Sequence, residues 1–190
     1  MVVNGKTKNM LDHFVTAQIV GIVAVTVSLL LFQFNDRRKM LNIGVCSALL
    51  WTLHFYLLGA YTGSAMNGIS AIRDLTLART KPTSNNLWIL GAIMLLATAA
   101  TIITWHGIVC ILPLIACGLN AASFWSTNTK RIRRFYLLVP PLWFTYNFFS
   151  HSYPGMAIEL ILVISNIVAQ FRFDRKKTSR RKLATKLQTS

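Results

Sequence analysis

The chain has 190 residues, of which 54% are hydrophobic and only 13% charged, with a formal net charge of +15 and a mean hydropathy of +0.50. A soluble domain carries about a quarter charged residues. Here the bases stand in short runs between long uncharged stretches, which argues against a soluble enzyme or a basic nucleic-acid binder and for a polytopic membrane protein.

His13 to Asn35 is uncharged and long enough for one bilayer crossing, so it predicts a first helix over 14–34. Lys6 and Lys8 precede it, as they would precede a signal peptide. The run is long, lacks a small-x-small cleavage site and is followed by Asp36-Arg37-Arg38-Lys39, so it reads as a retained helix. Met40 to Ile72 is too long for one crossing at about 1.5 Å per residue. The break Gly59-Ala60-Tyr61-Thr62-Gly63 divides it into helices over 40–58 and 61–79. Pro82 to Thr129 divides at Trp105-His106-Gly107 into helices over 87–105 and 107–127. Phe135 to Phe171 carries one charge, Glu159, and divides at Ser150 to Gly155 into helices over 134–149 and 153–172. Pro140 and Pro141 are expected to kink the sixth helix, which neighbouring groups can tolerate by satisfying the freed carbonyls. The expectation is an all-α membrane protein with seven transmembrane helices, followed by a polar, basic tail. That tail either anchors topology or lies against anionic lipid headgroups, at about 1 kcal/mol per base near the surface.

Charge orients the bundle. Seventeen of the twenty bases fall on the side of the odd-numbered reversals and the C-terminus: Arg37 to Lys39, Arg79 and Lys81, Lys130 to Arg134, and the tail. Lys6 and Lys8 alone fall on the other side, and Arg73 lies inside a helix. The positive-inside rule then puts the N-terminus outside and the C-terminus in the cytoplasm.

A shift of 92 residues brings Leu50 onto Leu142, Trp51 onto Trp143, Tyr61 onto Tyr153, Gly63 onto Gly155, Ala65 onto Ala157 and Ile69 onto Ile161. Arg38 and Lys39 fall on Lys130 and Arg131, and the breaks coincide as well. The chain therefore reads as a first three-helix repeat (14–79), a connector helix (87–105), a second repeat (107–172) and a basic cytoplasmic tail (173–190). One connector after three helices restores the starting direction. The repeats are then parallel and related by a pseudo-two-fold axis along the membrane normal.

This 3+1+3 arrangement resembles the SWEET sugar transporters, whose half-size relatives, the semiSWEETs, dimerise. The stretch HFYLLGAYTGSAMNGISAIRDLTLARTK, His54 to Lys81, is similar to the YgjV-type bacterial inner-membrane proteins grouped with that superfamily. Gln18 with Gly21, and GMAIELILVISNIVAQFRF from Gly155 to Phe173, support the same resemblance. It implies a multi-pass protein of the bacterial inner (plasma) membrane, and implies no substrate. The chain departs from plant-type SWEETs in having prolines (Pro113, Pro140, Pro141) only in the second repeat, which weakens a rocking hinge in the first. Where YgjV-type sequences tend to carry Asn one turn before the third-helix Arg, this chain has Ser70, with Asn67 three residues earlier.

Ionisable groups inside a bilayer are costly, and three fall well within spans: Arg73, Asp74 and Glu159. Under the 92-residue shift Asn67 faces Glu159, Asp74 faces Asn166, His54 faces Tyr146 and Trp51 faces Trp143. Helical rise places His54, Asn67, Tyr146 and Glu159 in one layer about 8–10 Å below the outer face. Arg73, Asp74, Ser165 and Asn166 form a deeper layer. The amide and carboxylate can hydrogen-bond a small polar ligand, Trp51 and Trp143 can pack on a sugar face, and Glu159 can carry a proton. Arg73 and Asp74 form a charge pair or gate. Each residue also has a structural reading. Arg73 can pair with Asp74 or snorkel, the asparagines can join helices, the tryptophans can pack, and His54 can donate to a carbonyl.

Cys46, Cys110 and Cys117 read as apolar packing, since no histidine or acid joins them at ligand spacing. No phosphate loop, nucleophile constellation or carboxylate pair is present, so neither an enzyme nor a cofactor or metal is expected. The expected function is a carrier of a small polar, sugar-like solute with its site between the repeats. The alternative is a non-transporting scaffold or sensor acting through the basic tail. The expected partners are the bilayer, the solute and anionic headgroups, with oligomerisation open.

Overall fold

The computed structural model describes residues 5–30, 37–80, 87–125, 129–165 and 167. Among them the chain forms seven α-helices and no strand. They are α1 (Gly5–Leu30), α2 (Arg37–Leu57), α3 (Tyr61–Arg79), α4 (Leu87–Ile103), α5 (Ile111–Trp125, entered through a 3-10 turn at Ile108–Cys110), α6 (Thr129–Phe149) and α7 (Tyr153–Ser165).

Three helix starts differ by four residues or more from those read off hydropathy. α1 begins at Gly5 rather than 14, and α6 at Thr129 rather than 134. In both cases the extra turns carry Lys or Arg, which are good helix formers. Apolar runs mark the part of a helix that lipid can cover, and the hydrogen-bonded helix extends beyond it. α5 begins at Ile111 rather than 107, because Gly107 sits at φ 141° and the next residues wind as the 3-10 turn. α6 continues unbroken through Pro140 and Pro141. Asn166 and the tail from 173 lie outside the described residues.

The α2–α3 and α6–α7 reversals are built alike. In the first, Gly59 N–H donates to Tyr56 C=O (3.0 Å) and Ala60 N–H to Phe55 C=O (2.9 Å). In the second, His151 N–H donates to Phe148 C=O (3.3 Å) and Ser152 N–H to Asn147 C=O (2.9 Å). Each is the paired bond of a Schellman cap, which requires a left-handed residue at its centre. Gly59 supplies it at φ 72° and His151 at φ 53°. A side chain in that region costs about 1–2 kcal/mol, and glycine escapes the cost. His151→Gly is therefore expected to stabilise the protein by up to about 1 kcal/mol and Gly59→Ala to destabilise it by a similar amount. Chemical unfolding in mixed detergent–SDS micelles measures both.

Packing is inverted relative to a soluble protein. Arg73, Asp74, His54, Asn147, Thr62 and Ser152 are buried. Leu95, Ile102 and Ile103 on α4, and Ile19 and Ile22 on α1, are exposed. Such a surface is stable in hydrocarbon and not in water. Among the described residues one helical stretch, Leu11–Leu30, is by itself long and apolar enough to cross a membrane; the other apolar stretches described are shorter. α2 packs against α1 and α3, α5 against α6, and α4 against both α3 and α5. One core cluster joins Ala24, Trp51 and Phe55 to Tyr146 and Ile158, and so links α1 and α2 to α6 and α7. A second joins Met66 and Ile69 of α3 to Ile89, Ile93 and Ala97 of α4 and Cys117 of α5.

Candidate functional site

The two reversals lie at the same end of the bundle, and the polar groups beside them cross between the two halves of the chain. His54, fully buried on α2, reaches Ala17 C=O of α1 through Nδ1 (2.7 Å) and Ser152 Oγ through Nε2 (2.7 Å). A carbonyl only accepts, so Nδ1 carries the proton in the neutral ring, and Ser152 O–H must donate to Nε2. Ser152 Oγ in turn accepts Gly155 N–H at 3.2 Å, and so caps the first turn of α7. Gly21 makes room for the ring: a Cβ there would lie 2.8 Å from His54 Cε1 and Nδ1.

Tyr146 of α6 stands where the 92-residue shift places His54. Its hydroxyl accepts Gly63 N–H (2.7 Å) and donates to Ala60 C=O (3.3 Å). Ala60 precedes α3 and has no side chain to cap it. The same amide position is therefore capped in both halves. In α7 the local Ser152 caps it, while in α3 the hydroxyl comes from Tyr146, across the bundle. The contacts are reciprocal: residue 54 meets residue 152, and residue 146 meets residue 60.

No hydrogen bond or ring contact joins His54 to Tyr146 or Trp51 to Trp143. Phe55 stands between them. Its ring lies 5.2 Å from His54, 5.9 Å from Trp51, 5.8 Å from Tyr146 and 5.8 Å from Trp143, on which it stacks. Trp51 is core, with its indole N–H donated to Ser28 Oγ at 3.1 Å. Trp143 is half-buried and packs against both core clusters. Sequence reasoning missed Phe55, since a phenylalanine in an apolar run carries no signal of its own. The only hint was its place beside His54, opposite Asn147 in the shifted alignment.

Asn67 and Glu159 lie one helical turn below the capped glycines. Asn67 donates to Gly63 C=O of its own helix (2.9 Å). Glu159 is half-buried, with no hydrogen-bond or ion-pair partner among the described residues. No hydrogen bond joins the two. Deeper, Arg73 and Asp74 are both buried, and Arg73 Nε and Nη2 meet Asp74 Oδ1 at 2.9 and 2.8 Å. Gly44 of α2 lies over the other carboxylate oxygen: a Cβ there would sit 2.8 Å from Asp74 Oδ2.

One expectation is corrected. A histidine does join a cysteine: His106 Nδ1 lies 3.3 Å from Cys110 Sγ, which also receives Thr62 O–H at 3.3 Å. The bend at Gly107 brings the two side chains together. Among the described residues, no group of three potential ligands is placed to hold a metal.

The Imp-YgjV family, described as bacterial inner membrane protein, matches residues 15–177. The chain belongs to this family. It is 28% identical over 160 residues to the inner membrane protein YgjV of Escherichia coli (strain K12), covering 84% of this chain and 85% of that protein. No solved structure matches the chain. Membership in the Imp-YgjV family accounts for the inverted packing: the protein is a helical, multi-pass protein of the bacterial inner membrane.

Proposed function

We propose that the protein carries a small polar solute between two parallel three-helix repeats, 14–79 and 107–172, with α4 as connector, in the manner of SWEET-type carriers. The observation that carries this reading is the matched pair of reversals. The same cap bonds recur 92 residues apart, and the contacts 54–152 and 146–60 cross reciprocally. Reciprocal contacts are what a two-fold relation between like units produces.

With the basic ends of the helices in the cytoplasm, the reversals face outward. The His54–Ser152 and Tyr146–Ala60 bonds and the ring cluster around Phe55 then close the outer end. Asn67 and Glu159 lie about 6 Å below the capped glycines, at four residues of helical rise. There they offer an amide and a carboxyl to a solute entering from the cytoplasmic side, with Trp143 above them. The Arg73–Asp74 pair lies on the inner path. No step of this reading is enzymatic.

The test is a thermal-shift screen of detergent-purified protein against monosaccharides, sugar acids, amino acids and small carboxylates at pH 5.5 and 7.5. A ligand that binds the folded state raises the melting temperature by mass action. The expected result is a saturable shift for one solute class, lost in the Asn67→Leu/Glu159→Leu variant and kept when the tail is deleted from Arg175. Loss on tail deletion alone would favour a scaffold working through its basic tail on anionic headgroups.

A further inference from the structure

We propose that His54, Ser152 and Asn147 form a proton-binding site, in which a proton taken up by the imidazole hands the Ser152 hydroxyl from His54 to Asn147. This stands on bond directions and holds whether or not a solute is carried. In the neutral state every donor is assigned: Nδ1–H to Ala17 C=O, Ser152 O–H to Nε2, and Gly155 N–H to Ser152 Oγ. Two buried amide oxygens around this joint are left over, Gln18 Oε1, whose amide nitrogen is held on His151 C=O, and Asn147 Oδ1. Asn147 is 2% exposed, and its Oδ1 has no hydrogen-bond partner. It lies beside the serine, because a Cβ added at Gly155 would overlap Asn147 Oδ1 and Ser152 Oγ together.

A proton delivered from water to Nε2 forms one N–H bond and breaks none within the protein. Nε2–H then donates to Ser152 Oγ, and Nδ1–H stays on Ala17 C=O. Ser152 can no longer donate to the ring; its freed O–H turns toward Asn147 Oδ1, the unpartnered acceptor beside it, and a small turn of the Asn147 amide, unbonded as it stands, closes the hydrogen bond. Each hydrogen-bonding group in the neutral chain keeps a partner, and Asn147 Oδ1 gains one. The groups against the ring are Ala17 and Gly21 of α1, Trp51 and Phe55 of α2, and Ser152 and Pro154 at the start of α7. None of these is charged. The ionisable residues on the same elements, among them Asp12, His13, Arg38, Lys39, Cys46, Tyr56, His151, Tyr153 and Glu159, make no hydrogen bond to the imidazole. Since Ser152 caps α7 and Asn147 C=O holds the reversal, the proton acts on the joint between α6 and α7 and on its attachment to α1 and α2.

The test is NMR of the full chain in phospholipid nanodiscs, labelled with 15N at histidine rings and 13Cγ at asparagine, titrated from pH 8 to pH 4. His54→Gln and Asn147→Leu assign the two signals. At high pH the expected His54 signal has the proton on Nδ1 alone. On acidification Nε2 becomes protonated, and the Asn147 13Cγ signal shifts with the same midpoint. In Ser152→Ala the Asn147 signal stays put while His54 still titrates. The proposal fails if the wild-type Asn147 signal does not move as His54 titrates, if His54 takes up no proton across this range, or if the Asn147 shift persists in Ser152→Ala. The first two outcomes are read on the wild-type protein once the two signals are assigned.

Discussion

Asp74→Leu is expected to destabilise the protein by about 3–5 kcal/mol, the cost of leaving one member of a buried ion pair without its partner. Arg73 and Asp74 are 6% and 8% exposed, and two guanidinium nitrogens meet the one carboxylate oxygen at 2.8–2.9 Å. Remove the carboxylate and the guanidinium stays buried without this counter-ion. The double variant Arg73→Leu/Asp74→Leu leaves no charge to compensate and is expected to recover most of the loss. SDS-titration unfolding of the wild type, both single variants and the double variant closes the cycle. A loss in the double variant equal to the sum of the two single losses would show that the pair is not energetically coupled. The small Gly44 matters to the same pair, since it lets α2 approach Asp74 Oδ2.

Tyr146→Phe removes one hydroxyl and undoes two bonds. Gly63 N–H, buried at the start of α3, loses its acceptor, and Ala60 C=O loses a donor. An unsatisfied buried donor costs about 1–3 kcal/mol, and that is the expected loss. The second half of the chain suggests the remedy. Ser152 caps Gly155 N–H from within its own reversal, so Ala60→Ser should cap Gly63 N–H in the same way. In the Tyr146→Phe background Ala60→Ser is expected to restore about 1 kcal/mol, the usual value of such a cap. In the wild type, where the amide is already bonded, it should restore nothing. A gain of the same size in both backgrounds would mean that Tyr146 does not do the capping.

These predictions separate two kinds of information. Helix number, the places where the chain turns back and the 92-residue correspondence were legible in the residues. Uncharged runs, glycine-rich breaks and clustered bases are local or periodic features, and a bilayer imposes them on any chain that crosses it. His54 and Tyr146 were legible too, as polar side chains in apolar runs, which must find a partner. Their partners were not legible. Nothing in the string says that the Ala60 cap is supplied by a tyrosine 86 residues away, that Phe55 parts the two tryptophans, or that Asn147 Oδ1 faces Ser152 without a donor. Helical rise sets depth along a helix and leaves rotation about the bundle free. Rotation is chosen when ring packing and the few buried hydrogen bonds are satisfied together, which requires all the helices at once. The helix ends at Gly5 and Thr129 were missed for a related reason. Hydropathy reports the lipid boundary, whereas a helix ends where its backbone hydrogen bonds do.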